Sequence, residues 1–424
     1  MQWLERHTKV LTAMVWVLRI VIGATFVFSG FVKAVDPWGF MYKITDYLTV
    51  WGIDYMPREA IFCLAASLAG IEFMLGMLVA LGCLRRAAVW MLFAMMAVLL
   101  PLTVYIVVAN PVDDCGCFGD AIKLSNTATL IKNIVLTALI IVLMRYNTKI
   151  KGIVPPLFQW IAIVACLTYC VILSMLGYFS QPIVDFRPYK VNEALVDEDT
   201  NENLTFVYEK GNERRTFGID NLPDSTWTFV ERISDGPKSE KSLAIFDGDE
   251  DVTDAVLVDE GPFVILTVSN PEFHNRARAS MANRINEYMV KHGGSMICLV
   301  PLSGESLDKW IELAKPEYDV YTADESTIKE MARGDAALVY LRDGVVKWKR
   351  NLYALSGDFP DESTDDEFDS RRPIDSGRLF FQLTFALELV LVVLILLGSG
   401  RLLYLYNRRK AKKLQNTKEA SSKN

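Results

Sequence analysis

The chain has 424 residues, which is long for one ordinary domain and suggests two or three. Of these residues, 51% are apolar and 22% are charged, which excludes a disordered chain, since disorder requires low hydrophobicity and high net charge. Seven cysteines in a chain of this length also exclude a small fold held together by disulfides.

The net charge of −7 conceals a separation of charge along the chain. Residues 180–376 hold 40 acidic and 22 basic side chains, whereas the remainder holds 11 acidic and 22 basic ones. An apolar, basic part joined to an acidic part indicates a membrane protein with one large domain outside the membrane.

Six stretches are long and apolar enough to be transmembrane helices, because a helix needs roughly 20 mostly apolar residues to cross the hydrocarbon core. They are Leu11–Val32, Ala60–Leu81, Ala87–Ala109, Thr127–Met144, Leu157–Phe179 and Leu379–Gly398. The first holds Arg19 at its centre and lacks a clear cleavage site, so we interpret it as a span and not as a signal peptide.

Basic residues predict the orientation of these spans. With six spans, four basic segments fall on the same side: the N-terminus, the loops after spans two and four, and the tail at 401–424. Because short cytoplasmic loops carry an excess of lysine and arginine, both termini are expected in the cytoplasm of a bacterium. The loops 33–59 and 110–123, and residues 180–376, are then expected on the periplasmic face of the inner membrane.

Two cysteines separated by one glycine, Cys115 and Cys117, lie in the loop between spans three and four. A disulfide within Cys-Gly-Cys closes a very small ring, so it would be strained and easily reduced. Such a pair suits thiol–disulfide exchange better than a structural bridge; a structural turn, and pairing of each cysteine elsewhere, are the alternatives. Cys63, about one helical turn inside span two, is the candidate resolving thiol.

The charges around this loop act on the thiols in opposite directions. Asp113, Asp114 and Asp120 would raise the thiol pKa, whereas the N-terminus of span four would lower it. The other four cysteines are interpreted as packing residues, namely Cys83, Cys166, Cys170 and Cys298. No metal site is expected, because the chain has three histidines and none is near the pair.

Ionisable residues inside the predicted spans are expected to face the bundle and to have partners, since a charge in hydrocarbon costs roughly 2.5–3.5 kcal/mol on insertion scales. Arg19, Glu72 and Glu388 lie well inside their spans, and Lys132 lies nearer the end of span four. We predict that Arg19 pairs with Glu72, because spans one and two are neighbours. Either a structural salt bridge or a polar pocket for a quinone or a proton path would explain this pair.

The same stretches carry a family pattern. Span one and its exit contain Arg19, Gly23, Ser29-Gly30 and Lys33; span two contains Glu72 and Gly76; the loop reads Cys115-Gly-Cys117-Phe-Gly. These motifs resemble the DoxX-like superfamily, and the cysteine loop resembles its branch that contains the methylamine utilisation protein MauE. The likeness covers residues 10–145.

The resemblance implies a four-helix membrane bundle over residues 1–150, to which this chain would add spans at 151–180 and 377–400. DoxD relatives are linked to thiosulfate:quinone oxidoreduction. MauE is linked to methylamine metabolism, through support of disulfide formation in a dehydrogenase subunit. Carried over to this chain, the resemblance marks Arg19, Lys33, Glu72, Cys115 and Cys117.

The acidic part is predicted to be an α+β domain. Residues 181–260 are β-rich, with short strands at Leu204–Tyr208, Arg215–Ile219, Trp227–Val230 and Leu243–Phe246. Over residues 261–356, strands and helices follow in the order β-α-β-α-β-β, with a hairpin signal at Arg342-Asp343-Gly344. This order resembles a thioredoxin-like fold.

The departures from thioredoxin matter as much as the likeness. Where thioredoxins carry Cys-x-x-Cys, this chain reads Ser269-Asn-Pro-Glu-Phe-His274, and where they carry a cis-proline it reads Gly334-Asp335-Ala336. We therefore interpret the domain as a docking module without thiol chemistry. Residues 357–376 are predicted to form an acidic linker that is extended and solvated.

Two functions follow from the sequence. In the first, Cys115 and Cys117 cycle between dithiol and disulfide, pass electrons to a quinone near Arg19 and Glu72, and support maturation of envelope proteins. In the second, the bundle is a non-catalytic anchor in the lipid bilayer that presents a degenerate thioredoxin-like domain to a periplasmic partner. Nucleic acid is not an expected partner, because the outer domain is acidic.

Overall fold

The computed structural model describes residues 2–53, 55–112, 115–196, 204–210, 213–218, 228–234, 241, 243–257, 260–271, 276–352, 355, 368 and 408. These residues belong to two compact units, which divide between Phe186 and Arg187. The predicted sixth span, Leu379–Gly398, lies outside the described residues, as does the basic tail apart from Arg408.

The first unit is a bundle of apolar helices. Its helices are α1 Gln2–Val35, α2 Pro37–Val50, α3 Arg58–Leu81, α4 Ala87–Ala109, α5 Asn126–Tyr146 and α6 Gln159–Phe179. All except α2 are long and apolar enough to cross a membrane, which confirms five of the predicted spans. Their outward faces expose large apolar side chains, among them Val17, Ile20, Val98, Val108, Ile131 and Ile141. The chain is therefore a membrane protein.

Helix α2 corrects the prediction that residues 33–59 form a loop. Helix α1 continues to Val35, and α2 begins two residues later with Pro37 in its first turn. The Asp36 side chain caps α2 by accepting a hydrogen bond from the Gly39 backbone nitrogen at 3.0 Å. Trp38, Met41, Ile44 and Leu48 of α2 are buried, so one apolar face holds this helix to the bundle.

Glycines bring α1 and α3 close together. A Cβ atom at Gly30 would lie 2.5 Å from the Phe73 backbone nitrogen, and one at Gly76 would lie 2.6 Å from the Val27 backbone nitrogen. Contacts this short exclude any larger residue unless the backbones move apart. The close crossing places Gly30, near the C-terminus of α1, beside Ala69 and Phe73 of α3.

The second unit contains two sheets. The strands β1 Leu204–Lys210, β2 Glu213–Gly218 and β3 Thr228–Ser234 form an antiparallel sheet in the order β2-β1-β3. The larger sheet is built from β4 Ile245–Asp247, β5 Glu250–Asp251, β6 Pro262–Val268, β7 Ser295–Val300, β8 Asp319–Ala323, β9 Ala336–Arg342 and β10 Val345–Asn351. Its order is β10-β9-β6-β7-β8-β4-β5, and it is mixed, because β6, β7 and β8 are parallel and the other pairs are antiparallel.

Three helices cover the central strands of the larger sheet on its two faces, namely α8 Arg276–Lys291, α9 Gly304–Ala314 and α10 Glu325–Met331. The short helix α7 Thr253–Val256 lies beside β4. Alternate residues of β6 enter different cores: Val264 and Leu266 pack in the core that contains residues of α8 and α9, and Phe263 and Ile265 in the core that contains residues of α10. The continuous apolar runs of these strands follow from burial on both faces.

The predicted hairpin is confirmed, and the predicted linker is wrong at one residue. Asp343 and Gly344 both have positive φ between the antiparallel β9 and β10, as a two-residue type I′ turn requires.

Phe368 belongs to the segment predicted to be a solvated linker, yet this residue is 3% exposed. Its ring lies 5.1 Å from that of Tyr340, and Trp348 Nε1 donates to its carbonyl oxygen at 2.9 Å.

Candidate functional site

The two loop cysteines face each other in the structure. The Sγ atoms of Cys115 and Cys117 are 3.1 Å apart, and both side chains are half-buried free thiols. Gly116 between them has φ of +66°, and a Cβ atom there would lie 3.1 Å from Cγ of Lys43 on α2. The left-handed conformation and the close approach both favour glycine, and the reversal of the chain at this residue brings the two sulfurs together.

A buried ion pair lies directly under this loop. Lys33 of α1 is 5–6% exposed, and its Nζ lies 2.7 Å from Oε2 and 2.9 Å from Oε1 of Glu72 on α3. Ser29, one turn before Lys33 on the same face of α1, has its Oγ 2.7 Å from Glu72 Oε2 and 2.7 Å from the carbonyl oxygen of Cys117. The serine hydroxyl therefore connects the ion pair to the cysteine loop.

The predicted pairing of Arg19 with Glu72 is wrong. Arg19 is fully buried, but its guanidinium donates to Asn147 Oδ1 at 2.7 Å and to the carbonyl oxygens of Asn147, Ile150 and Lys151 at 3.0, 2.8 and 3.1 Å. The 14 residues between Arg19 and Lys33 correspond to roughly 21 Å along a helix. Arg19 thus lies toward the other end of the bundle and holds the loop between α5 and α6.

Helices α2 and α5 contribute residues that the sequence did not assign to the site. The Tyr47 hydroxyl on α2 donates to the Cys115 carbonyl oxygen at 3.3 Å. On α5, Lys132 is half-buried, and its Nζ lies 4.3 Å from the centre of the Phe118 ring. Lys132 stood out as a charge near the end of a span, whereas nothing in the sequence marks Tyr47.

The surroundings separate the two thiols in acidity. The hydrogen bond with Cys115, aided by the positive charges of Lys132 and Lys33, holds the pKa of Cys117 below its usual range, against the opposing effects of burial and Glu72. The same hydrogen bond, burial and the Cys117 charge raise the pKa of Cys115, against the opposing effects of Tyr47 and Lys132. The surroundings therefore favour loss of the first proton from the pair and oppose loss of the second. Asp113 and Asp114, expected to oppose this, lie outside the described residues.

The other cysteines differ from this pair. Cys83, Cys166, Cys170 and Cys298 are buried, in agreement with a packing role, and burial raises the pKa of Cys83 to about 11. Cys63 is exposed on α3, and its role as a resolving thiol stays a prediction. Within the described part of the chain, no cluster of side chains could hold a metal ion.

A small cavity opens beside the loop. Its lining includes Lys33, Asp36, Lys43, Gly116 and Asp120, and its volume is about 20 Å³. That volume holds about one water molecule, so this cavity does not accommodate a quinone ring. A large electron acceptor would have to reach the pair from outside this cavity.

Comparison with known protein families gives a long match in the first unit and a short match in the second. Residues 203–235 match a domain of unknown function, DUF8463. No curated protein and no solved structure matches the chain. Residues 11–146, which include α3, α4, α5, the ion pair and the cysteine loop, match the family model of the methylamine utilisation protein MauE. This match confirms the resemblance that the loop motif predicted, and the helical unit of this chain is similar to MauE.

Proposed function

We propose that this protein is a membrane thiol–disulfide oxidoreductase in which Cys115 and Cys117 are the redox-active pair. The observation that carries the proposal is the 3.1 Å separation of their sulfurs, in a half-buried loop supported by the Ser29, Lys33 and Glu72 side chains. In the reduced pair, a thiolate is the nucleophilic form, so surroundings that favour loss of one proton also favour thiol–disulfide exchange.

The reaction is a transfer of two electrons. A partner dithiol reduces the Cys115–Cys117 disulfide, so the partner gains a disulfide and this chain becomes the dithiol. Reoxidation removes two electrons and two protons from the pair, and a membrane quinone that becomes the quinol is the acceptor that we propose. Lys33 and Glu72 are charged residues of the spans that lie beside the pair, as does Lys132, whereas Arg19 lies too far along α1 to take part.

We place the pair on the periplasmic face of a bacterial inner membrane, with both termini in the cytoplasm. The basic loops after α3 and α5 share one end of the bundle, since Arg85 donates to the carbonyl oxygens of Thr148 and Ile150 at 2.8 and 3.0 Å. The cysteine loop packs against Ser29 and Val32, near the C-terminus of α1 and away from the end that holds Arg85 and Arg19. The positive-inside rule then assigns the cysteines to the outer side.

The second unit is proposed to dock envelope proteins whose disulfides the pair forms. The succession β6-α8-β7 with antiparallel β9 and β10 supports a thioredoxin-like arrangement, and Ser269 and Asn270 follow β6 where thioredoxins carry cysteines. The name of the MauE family suggests methylamine utilisation as one setting for such maturation. The alternative function, a non-catalytic anchor for this docking unit, is favoured by the burial of Cys298, the cysteine of its central sheet.

Thiol trapping in intact membranes tests the proposal. Maleimide labelling of the full chain should show the pair oxidised in growing cells and reduced after dithiothreitol treatment or quinone depletion. A Cys63→Ser variant is the control, and it should keep the same response. If the Cys115→Ser, Cys117→Ser variant has no phenotype while deletion of residues 190–356 has one, the anchor function replaces the redox function.

A further inference from the structure

We propose that the turn between α2 and α3 is inserted into the membrane surface and holds the cysteine loop there. The part assigned to the lipid is called the α2 tip, and its side chains are Val50, Trp51, Ile53 and Tyr55. The partner is the zone of phospholipid headgroups and upper acyl chains in the leaflet on the side of the cysteine loop. This contact is independent of the proposed redox function, and it sets the depth at which the cysteine pair lies.

The α2 tip exposes large apolar and aromatic side chains. Tyr55 is 85% exposed, Trp51 56%, Ile53 44% and Val50 41%. Tryptophan and tyrosine are enriched where a membrane meets water, because their rings are apolar and their N–H and O–H groups reach the headgroups. Asp54, between Ile53 and Tyr55, lies outside the described residues. The aromatic and aliphatic side chains of the tip therefore fit the membrane–water interface.

The tip is continuous along the chain with the lipid-facing side of α3. Helix α3 begins at Arg58, so at most about 11 Å of extended chain separates it from Tyr55. Along α3, Leu64, Leu68 and Ile71 are exposed, and their spacing places them on one face. Because α3 is long and apolar enough to cross the membrane, this exposed face contacts lipid. The tip lies just outside the end of α3 at which this apolar face begins, where the hydrocarbon core gives way to headgroups.

The exposed side of α2 before the tip is polar. Thr45, Asp46 and Thr49 are exposed, whereas the opposite face of the helix, which ends at Leu48, is buried against the bundle. A helix that lies along a membrane surface keeps one polar side in water. The change from Thr49 to Val50 therefore marks the point at which the exposed surface passes from water to lipid.

Contacts of α2 connect the tip to the cysteine loop. The Trp51 ring lies 6.2 Å from the ring of Tyr47, and the Tyr47 hydroxyl donates to the Cys115 carbonyl oxygen at 3.3 Å. One turn earlier on α2, the Lys43 stem lies against Gly116, where an added Cβ atom would be 3.1 Å from Lys43 Cγ. Helix α2 thus forms one wall of the loop, so fixing its tip in the membrane surface restrains that wall.

Photo-crosslinking of the full chain in cell membranes tests the lipid contact. The variant Tyr55→p-benzoylphenylalanine is irradiated and purified, and its adducts are identified by mass spectrometry. The main adduct should be a phospholipid. The matched control is Thr45→p-benzoylphenylalanine, because Thr45 is also exposed but lies on the polar side of α2. Position 55 should give several times more phospholipid adduct than position 45.

Two outcomes of this experiment would overturn the proposal. Equal phospholipid yields at positions 55 and 45 would mean that the tip has no preference for lipid. A main adduct with a second copy of the chain, or with another protein, would mean that the tip is a protein-binding surface.

A second experiment tests the connection between the tip and the loop. The reduced full chain in vesicles of phosphatidylethanolamine and phosphatidylglycerol is treated with diamide, which takes two electrons and two protons from the cysteine pair. Tyr55→Ser should slow disulfide formation between Cys115 and Cys117 several-fold, because the wall of the loop is held less firmly. Since Tyr55 is 85% exposed, its loss leaves the packing of the bundle intact.

The matched control is Trp160→Ser. Trp160 is 61% exposed near the start of α6, where the neighbouring Gln159 side chain accepts a hydrogen bond from the Leu84 backbone at the other end of the bundle. Its replacement should leave the rate unchanged. An unchanged rate in Tyr55→Ser, or equal slowing in Trp160→Ser, would refute the connection. Neither experiment requires a partner dithiol or a quinone, so both remain decisive if labelling in cells shows that the pair does not cycle.

Discussion

Arg19 and Lys33 are both buried on helix α1, and the molecule satisfies their charges in different ways. Arg19 donates to three backbone carbonyl oxygens and to the Asn147 side chain. Lys33 instead pairs with the Glu72 carboxylate and reaches the cysteine loop through Ser29. Both arrangements compensate the cost of a charge in an apolar bundle, but only the second places an ion pair beside groups that gain and lose protons.

The difference separates structural from chemical use of a buried charge. Carbonyl oxygens accept four hydrogen bonds from the Arg19 guanidinium and fix its geometry, so Arg19 is expected to hold the α5–α6 loop against the bundle. The Lys33–Glu72 pair, in contrast, lies beside two thiols. The electrostatic energy of the pair therefore changes when one of these thiols loses its proton. We therefore expect changes near Arg19 to affect stability alone, and changes near Lys33 to affect both stability and the cysteines.

The largest effect is expected from Glu72→Gln. Removing one partner of a buried ion pair leaves an uncompensated charge, which costs about 3–5 kcal/mol of unfolding free energy. Thermal unfolding of the purified chain in detergent micelles should show a much lower midpoint. A Lys33→Met, Glu72→Gln double variant should recover most of the loss, because no lone buried charge remains. A wild-type midpoint in Glu72→Gln would contradict the importance of the pair.

Arg19→Lys is expected to have the next largest effect, although it keeps the charge. A lysine ammonium cannot reproduce four hydrogen bonds that diverge from a planar guanidinium, and each buried carbonyl oxygen left unpaired costs about 1–3 kcal/mol. The unfolding midpoint should therefore fall, while the pH profile of Cys117 alkylation stays at its wild-type position. A shifted profile would mean that the two ends of α1 are coupled.

The sequence predicted those parts of the fold that depend on continuous patterns. Five spans are long, mainly apolar runs, and β6, β7 and β9 are short apolar runs that end in turn signals. The turn at Asp343 and Gly344 follows from the positive φ that these two residue types tolerate. In each case the information lies in neighbouring residues.

The failures at Arg19 and Phe368 share one cause, which is that the partner lies elsewhere in the chain. Arg19 was assigned to Glu72 because their helices are neighbours, but the backbone carbonyls that bind it have no sequence signal. Helix α2 was missed because its apolar face is short and begins in a Pro37 and Gly39 context that favours a loop. Phe368 is one aromatic residue in an acidic run, and only the folded sheet shows its pocket.

The crossing of α1 and α3 offers a matched pair of variants, one at Gly30 near Lys33 and one at Gly23 near Arg19. A Cβ at Gly30 would lie 2.6 Å from the Ala69 carbonyl oxygen, and one at Gly23 would lie 2.8 Å from the Gly76 carbonyl oxygen. Either alanine should push α1 and α3 apart and cost about 1–3 kcal/mol in unfolding free energy. Because Gly30 adjoins Ser29, Gly30→Ala alone should also slow disulfide formation by the pair, measured with a small oxidant. Equal slowing in Gly23→Ala would remove the distinction between the ends.

Ser29→Ala is expected to have the smallest effect and is the most specific test of the comparison. It removes the hydroxyl between Glu72 and the Cys117 carbonyl oxygen but leaves the Lys33–Glu72 pair in place, so the unfolding free energy should fall by only about 1 kcal/mol. Without that bond the loop is held less firmly, and disulfide formation between Cys115 and Cys117 should slow. Ser180→Ala, which removes a hydroxyl bonded to the Leu176 carbonyl oxygen at 2.6 Å, is the control. If both variants lose similar stability and neither changes the cysteines, the Lys33 region of α1 is as purely structural as the Arg19 region, because the hydroxyl that joins the ion pair to the loop would then carry no chemical consequence.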